Sequence, residues 1–264
     1  MPLEKITSLD GTPIAVERVG AGEPLVLVHG ATVDRGSWRA LVPLLAGRFE
    51  CWVVDRRGRG DSGDAPTFNP EREVEDLLAV FARVGRPIDL FGHSSGGVLA
   101  LETALRGPSV RRLALYEPPL RLDPAPSGGN GFLDRIEAHI AAGERAEAVR
   151  LFYRSGPGIT EEQLARMESG RSWPSTVAIA HTIAYDVRLV GQFPFDAERL
   201  RTLDRPTLLL VGEASGPRDQ RVATTLGETL PDARVVTLPG QGHRAMATAP
   251  DLLAQALTGF LARH

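Results

Sequence analysis

The sequence predicts an α/β protein: a mostly parallel, twisted sheet with helices on both faces and an inserted helical lid. Short apolar runs bounded by turn residues alternate with helical patterns in the first half of the chain, and the alternation resumes near its end. Such βα repeats build parallel sheets that helices cover on both faces. Residues 132–200, which lie between the two parts, show helical patterns without an obvious strand.

The predicted strands follow from hydrophobic periodicity. Alternation of apolar and polar residues predicts a half-exposed strand over 13–19, whereas short continuous apolar runs are typical of strands buried on both faces. The predicted strands cover residues 13–19, 24–29, 51–54, 88–91, 110–116, 206–212 and 233–238.

Helix-start signals place several of the helices. Asn69 followed by Pro70 is a favourable helix start, and the acidic residues that come next suit the positive end of the helix dipole. Thr160 and Gln163 have the spacing of a capping box. A last helix is predicted after Thr248.

The domain organisation follows from the order of these elements. Residues 117–134 are rich in proline and glycine, which predicts a loop that leads out of the strand pattern. We therefore predict a core formed by residues 1–117 and 201–264 and a helical lid or cap formed by residues 118–200.

The composition excludes several classes of function. Thirty basic and 33 acidic side chains give a net charge of −3, which offers no electrostatic footprint for nucleic acid or an acidic membrane. The single cysteine, Cys51, excludes an internal disulfide framework and a cysteine-based zinc cluster. The sequence contains no apolar run of membrane-spanning length and no apolar core of a secretory signal. We expect a cytoplasmic protein with a small-molecule substrate, and allow for a homodimer.

The strongest chemical signal is the segment 92–97, GHSSGG, which follows an apolar strand and precedes a helical pattern. This is the G-x-S-x-G nucleophile elbow in the strand–turn–helix context that its mechanics require. The motif is centred on Ser94; centring it on Ser95 would lose the first glycine. The amide of Ser95 is then expected to point to where an oxyanion would form, at the start of the following helix.

A serine nucleophile needs a base, and histidine is the usual one because its pKa lies near neutrality. Among six histidines, His243 stands in a glycine-rich loop directly after the last predicted strand, from which it can reach over the nucleophile. His93 belongs to the elbow turn, so its ring is expected to point away from the reacting face. His139 and His181 lie in the predicted lid.

These motifs together resemble the α/β-hydrolase superfamily. His29-Gly30-Ala31, with Trp38 downstream, is similar to the family's oxyanion loop; residues 55–63 (DRRGRGDSG) and 208–212 (LLLVG) are similar to two further family motifs. The resemblance implies a sheet of about eight strands, with Ser94 as nucleophile, His243 as base, and the backbone amides of Ala31 and Ser95 as oxyanion donors.

The chain departs from the family's pattern at the third member of the triad. The family usually places an aspartate shortly after the penultimate strand, where this chain has Ser215, and a neutral hydroxyl cannot stabilise an imidazolium as a carboxylate does. Glu117, at the end of the strand after the elbow helix, is the favoured substitute. Glu213 and Asp219 remain alternatives.

The remaining motifs are interpreted as structural. Arg56, Arg57 and Arg59 are expected to pair with nearby acids rather than to form an anion pocket. No metal-ligand motif or phosphate-binding loop occurs, so the predicted mechanism uses no cofactor.

The sequence thus predicts a cofactor-independent serine hydrolase that cleaves an ester, lactone, thioester or amide through an acyl-enzyme. One alternative is the same fold with lyase, acyltransferase, perhydrolase or carbon–carbon bond chemistry, and another is a ligand-binding protein with weak turnover. Dehalogenases and epoxide hydrolases of this fold use an aspartate nucleophile, and Ser94 disfavours both.

Overall fold

The computed structural model describes residues 3–107, 109–122, 131–155 and 159–262. Its strands are β1 (Leu3–Thr7), β2 (Pro13–Val19), β3 (Glu23–Val28), β4 (Phe49–Val54), β5 (Ile88–His93), β6 (Val110–Tyr116), β7 (Thr207–Gly212) and β8 (Ala233–Leu238). Its helices are α1 (Val42–Leu45), α2 (Pro70–Val84), α3 (Ser95–Arg106), α4 (Phe132–Ala141), α5 (Arg145–Ser155), α6 (Glu161–Glu168), α7 (Trp173–Ala178), α8 (Thr182–Gln192), α9 (Ala197–Leu200), α10 (Pro217–Thr229), α11 (Ala245–Thr248) and α12 (Pro250–Leu261).

The strands form one eight-stranded sheet in the order β1-β2-β4-β3-β5-β6-β7-β8. β2 pairs antiparallel with β1 on one side and with β4 on the other. All the other pairings in the sheet, from β4–β3 to β7–β8, are parallel. The carboxyl ends of the parallel strands therefore meet at one edge of the sheet, where α/β proteins bind their ligands. The predicted fold class is confirmed.

Two apolar clusters sandwich the sheet. One packs residues of α2, α3 and α10 against one face, with Val74, Val98 and Leu226 among its buried members. The other packs α1 and α12 against the opposite face, with Leu45 and Leu257 fully buried. Burial on both faces explains why the central strands are continuous apolar runs in the sequence.

Helices α4–α9 lie between β6 and β7 in the chain, and we call them the helical insertion. The insertion has an apolar cluster of its own, around Ile136, Val149 and Ile183. Its helix α8 packs against α2 and α3 of the core. The insertion is thus attached to the core directly beside the helix that follows the elbow.

The local signals for helix ends are confirmed. The Asn69 side chain accepts a hydrogen bond from the Glu71 amide and caps α2. Thr160 and Gln163 form the reciprocal capping box at the start of α6. α12 begins at Pro250, two residues after Thr248.

Some predicted boundaries are wrong. The loop predicted over 117–134 ends earlier, because α4 begins at Phe132; residues 123–130 of that loop lie outside the described residues. β1 was not predicted from periodicity, because this edge strand is largely exposed. Within the described part of the chain, no helix is long and apolar enough to cross a membrane.

Candidate active site

Four loops that carry the predicted site residues meet at the carboxyl edge of the sheet. Ser94 directly follows β5, Glu117 directly follows β6, Ala31 follows β3 and His243 follows β8. These residues are distant in sequence, but β3, β5 and β6 are adjacent parallel strands and only β7 separates β6 from β8. Their carboxyl ends therefore lie close together.

The turn that carries Ser94 is a strained elbow. Ser94 has φ 54° and ψ −129°, a positive φ that a residue with a side chain rarely adopts. A Cβ on Gly96 would lie 2.3 Å from the carbonyl oxygen of His29, so only glycine permits this close approach of α3 to the β3 loop. Ser94 is half-buried, and its side-chain oxygen has no hydrogen-bond partner among the described residues. Its hydroxyl is therefore available for chemistry.

The loop after β3 lies against the elbow. A Cβ added to Gly30 would come within 2.9 Å of the Cβ of Ser94, which places the Ala31 backbone beside the serine. Neither the Ala31 amide nor the Ser95 amide donates to another group within the described ranges. The Ser95 amide is free because it belongs to the first turn of α3. Two unpaired donors next to Ser94 are what an oxyanion hole needs.

Glu117 and His243 are in direct contact. Oε2 of Glu117 lies 2.5 Å from Nδ1 of His243, and the Glu117 side chain is fully buried. Its other oxygen, Oε1, accepts hydrogen bonds from the Gly212 amide (2.7 Å) and from the hydroxyl of Ser215. Burial opposes ionisation of this carboxyl, but the hydrogen bonds from His243, Ser215 and Gly212 outweigh it and hold its pKa below the usual value. Glu117 is therefore a carboxylate at neutral pH.

This contact fixes the roles of the two imidazole nitrogens. An ionised carboxylate only accepts hydrogen bonds, so Nδ1 of His243 carries the proton that faces Glu117. Nε2 is then the nitrogen with a free lone pair, which is the form a general base requires. The His243 side chain is 39% exposed and is accessible at this edge.

The structure does not place the two alternative acids against His243. Oε2 of Glu213 accepts a hydrogen bond from the Gly240 amide (2.7 Å). Asp219 lies on α10, where burial and the nearby charge of Glu117 raise its pKa. Ser215, which stands where the family usually has its aspartate, donates to Glu117 instead.

Two side chains beside the site, His93 and Tyr116, form hydrogen bonds with the His243 loop. His93 is buried, and its Nε2 lies 2.9 Å from the carbonyl oxygen of His243, with the two rings 4.6 Å apart. The ring does not point away from the site, which the sequence had led us to expect; it lies against the His243 ring and packs edge-on against Trp38. Burial and the nearby His243 lower the pKa of His93 well below its usual value, so neutral His93 donates its Nε2 proton to that carbonyl. The Tyr116 hydroxyl donates to the carbonyl oxygen of Gly242, the residue before His243.

The arginines after β4 are structural, as predicted. Arg56 is buried and pairs with Glu73 and Asp186, and Arg57 pairs with Asp76. His29 is also structural: its Nε2 accepts from the Arg56 amide (3.2 Å), and burial lowers its pKa to about 3. Across the described ranges, no group of three or more His, Cys, Asp or Glu side chains is placed to hold a metal ion.

Comparisons with known proteins agree with this architecture. The family model described as "Alpha/beta hydrolase family" matches residues 25–256. The chain belongs to this family. A crystal structure of an alpha/beta hydrolase from Sphaerobacter thermophilus has a TM-score of 0.90 and 40% sequence identity, with 98% of this chain and 100% of that chain covered.

Relatives with named activities are more distant. A 2-(acetamidomethylene)succinate hydrolase of Mesorhizobium japonicum is 28% identical, with 93% of this chain and 90% of the relative covered. A pimeloyl-(acyl-carrier protein) methyl ester esterase of Xanthomonas campestris pv. campestris is 26% identical, with 94% and 98% covered. The protein is an α/β-hydrolase enzyme related to hydrolases and esterases.

Proposed function

We propose that this α/β hydrolase cleaves a carboxylic ester, or a related lactone, thioester or amide, through an acyl-enzyme formed on Ser94. The observation that carries the proposal is the Glu117–His243 contact of 2.5 Å at the edge of the sheet where the strained elbow presents Ser94. Relatives named as a methyl ester esterase and as a hydrolase support the choice of bond.

The first half-reaction forms the acyl-enzyme. Nε2 of His243 takes the proton of Ser94 while Oγ attacks the carbonyl carbon, and the carbonyl electron pair moves onto its oxygen. The Ala31 and Ser95 amides stabilise that oxyanion, and loss of one such donor typically costs about 3 kcal/mol in the barrier. The protonated imidazole then passes its proton to the leaving alcohol as the tetrahedral intermediate collapses.

The second half-reaction returns the enzyme to its starting state. His243 takes a proton from water, the hydroxide attacks the acyl carbon, and Ser94 leaves with the proton as the acid is released. Glu117 carries negative charge throughout and stabilises the imidazolium each time it forms. The helical insertion contacts α3 and Thr32, the residue after Ala31, and we propose that it acts as the lid of the site.

Ser94→Ala tests the proposal. We expect wild type to hydrolyse p-nitrophenyl esters and to be labelled by a fluorophosphonate probe, and the variant to lose the label and at least 10³-fold in kcat. Ser175→Ala, at an exposed serine of α7, is the matched control and should behave as wild type. Absence of labelling in wild type, or labelling that persists in Ser94→Ala, would contradict an activated Ser94.

His93→Phe tests how the His243 loop is held. Phenylalanine keeps a ring against Trp38 but leaves the His243 carbonyl without its donor, so we expect kcat to fall about tenfold because an unpaired carbonyl costs about 1–3 kcal/mol. Steady-state kinetics with a p-nitrophenyl ester and a thermal melt measure the effect. Wild-type kcat in a folded variant would show that the hydrogen bond does not position His243.

A further inference from the structure

The helical insertion reaches the residue that carries one of the two proposed oxyanion donors. The Ser95 hydroxyl donates to Oδ1 of Asp186, on α8, at 2.8 Å. Arg56 Nη1 donates both to Ser95 Oγ (3.0 Å) and to the same Asp186 oxygen (2.8 Å). The three side chains close a triangle at the first residue of α3.

This triangle belongs to a buried, charge-balanced network. Asp186 also accepts from Arg59 through Oδ2 (2.8 Å), and Glu73 pairs with both arginines. All four charged side chains are at most 3% exposed. Asp186 is the member that the insertion supplies, so the network is complete only when α8 is seated on the core.

The insertion also reaches the residue next to the other proposed donor. Thr32 follows Ala31 and has φ 63°, a strained value for a residue with a branched side chain. Its hydroxyl donates to the Ala31 carbonyl (2.6 Å) and lies 2.6 Å from the hydroxyl of Tyr153, on α5. A threonine hydroxyl has one proton, so Tyr153 is the donor to Thr32. Thr176, on α7, donates to the Thr32 carbonyl at 3.4 Å.

We propose that the helical insertion assembles the oxyanion hole as well as covering the site. Asp186 and Tyr153 are its positioning residues: they hold the backbone at Ser95 and at Thr32, and so aim the amides of Ser95 and Ala31. The inference rests on the proposed function, because it concerns the stabilisation of the oxyanion formed there. It predicts that loss of these contacts lowers kcat and leaves KM little changed, because the oxyanion forms only in the transition state.

Two conservative variants test the contact at Ser95 and the contact at Thr32 separately. Ser95→Ala keeps the Ser95 amide and leaves the Arg56–Asp186 ion pair in place. It removes the hydrogen bonds that the Ser95 hydroxyl makes with Asp186 of the insertion and with Arg56. Tyr153→Phe removes only the hydroxyl that holds Thr32. The matched control is Tyr185→Phe, one residue before Asp186. The Tyr185 hydroxyl donates to Asp64 and forms no hydrogen bond with either loop among the described residues.

The kinetic readout compares an oxygen ester with its thionoester, whose sulfur is a weak hydrogen-bond acceptor. For the oxygen ester we expect each test variant to lower kcat about tenfold, with KM changed less than twofold, because small misalignments of donors act on the transition state. For the thionoester we expect kcat to stay within twofold. Tyr185→Phe should match wild type with both substrates. An equal loss with both substrates would overturn the proposal.

Amide hydrogen exchange of residues 30–33 and 94–97 provides a readout that does not depend on turnover. We expect faster exchange at 94–97 in Ser95→Ala and at 30–33 in Tyr153→Phe, with neither segment changed in Tyr185→Phe. Unchanged exchange in both test variants would overturn the positioning role. If wild type neither turns over esters nor reacts at Ser94, the proposed function fails, while the exchange comparison still decides whether the insertion orders the two loops.

Discussion

Glu117→Gln is expected to lower kcat for a p-nitrophenyl ester by 10³- to 10⁴-fold, which corresponds to about 4–5.5 kcal/mol in the barrier. The carboxamide oxygen can still accept from Gly212 and Ser215, so the side chain should keep its position. Its NH₂ group then faces Nδ1 of His243 and donates to it. The neutral imidazole must in that case carry its proton on Nε2, where it cannot accept the proton of Ser94.

Two matched amide variants serve as controls for the assignment of the acid. Glu213→Gln and Asp219→Asn make the same chemical change at the alternative positions, and neither carboxylate is bonded to His243 in the structure. Both should keep kcat within a few-fold of wild type. The assignment is wrong if Glu117→Gln retains near wild-type kcat, or if one of the two controls loses as much as it does.

Arg56→Met is expected to destabilise the protein by about 3–5 kcal/mol, because it leaves buried carboxylates without one of their cations. Both partners, Glu73 and Asp186, are almost fully buried and cannot be rehydrated in place. For a domain of this size the loss corresponds to a fall of roughly 10 °C in the melting temperature, measured by calorimetry or circular dichroism.

An Arg→Met substitution at an exposed position is the control, because it removes the same side chain without leaving a buried carboxylate unpaired. Arg166 pairs with Glu162 on the surface of α6, so Arg166→Met should lower the melting temperature by no more than about 2 °C. The double variant Arg56→Met/Asp186→Leu removes one charge of each sign and leaves Arg59 with Glu73. It should regain much of the stability lost in Arg56→Met. A double variant less stable than Arg56→Met would show that packing, rather than charge imbalance, dominates.

Much of the site was predictable because its signals are local. The elbow around Ser94 requires small residues at fixed positions within one turn, and the close approach at Gly96 shows why. The helix caps at Asn69 and Thr160 likewise depend on atoms two or three residues away. The position of His243 after the last strand was predictable because parallel strands end at one edge.

The sequence left the partner of His243 open, because a carboxylate's neighbour depends on which strands lie side by side. Parallel pairing of β6 with β7 brings Glu117 to Gly212 and Ser215, and the loop after β8 then closes over it. The contacts of His93 and Asp186 could not be predicted from the sequence either. Nothing in the local sequence marks either residue. His93 bonds to a residue 150 positions away and Asp186 to one 91 positions away, and such contacts are visible only in the folded chain.

The sequence by itself determined the α/β class, the sharp turn that presents Ser94, and the loop that carries His243, because these depend on periodicity and on steric limits within a few residues. The tertiary structure decided that Glu117 contacts His243 and that side chains of α8 and α5 form hydrogen bonds with Ser95 and Thr32, on either side of the site. Those contacts join distant segments, and their geometry is set by strand order and by the seating of the insertion on the core.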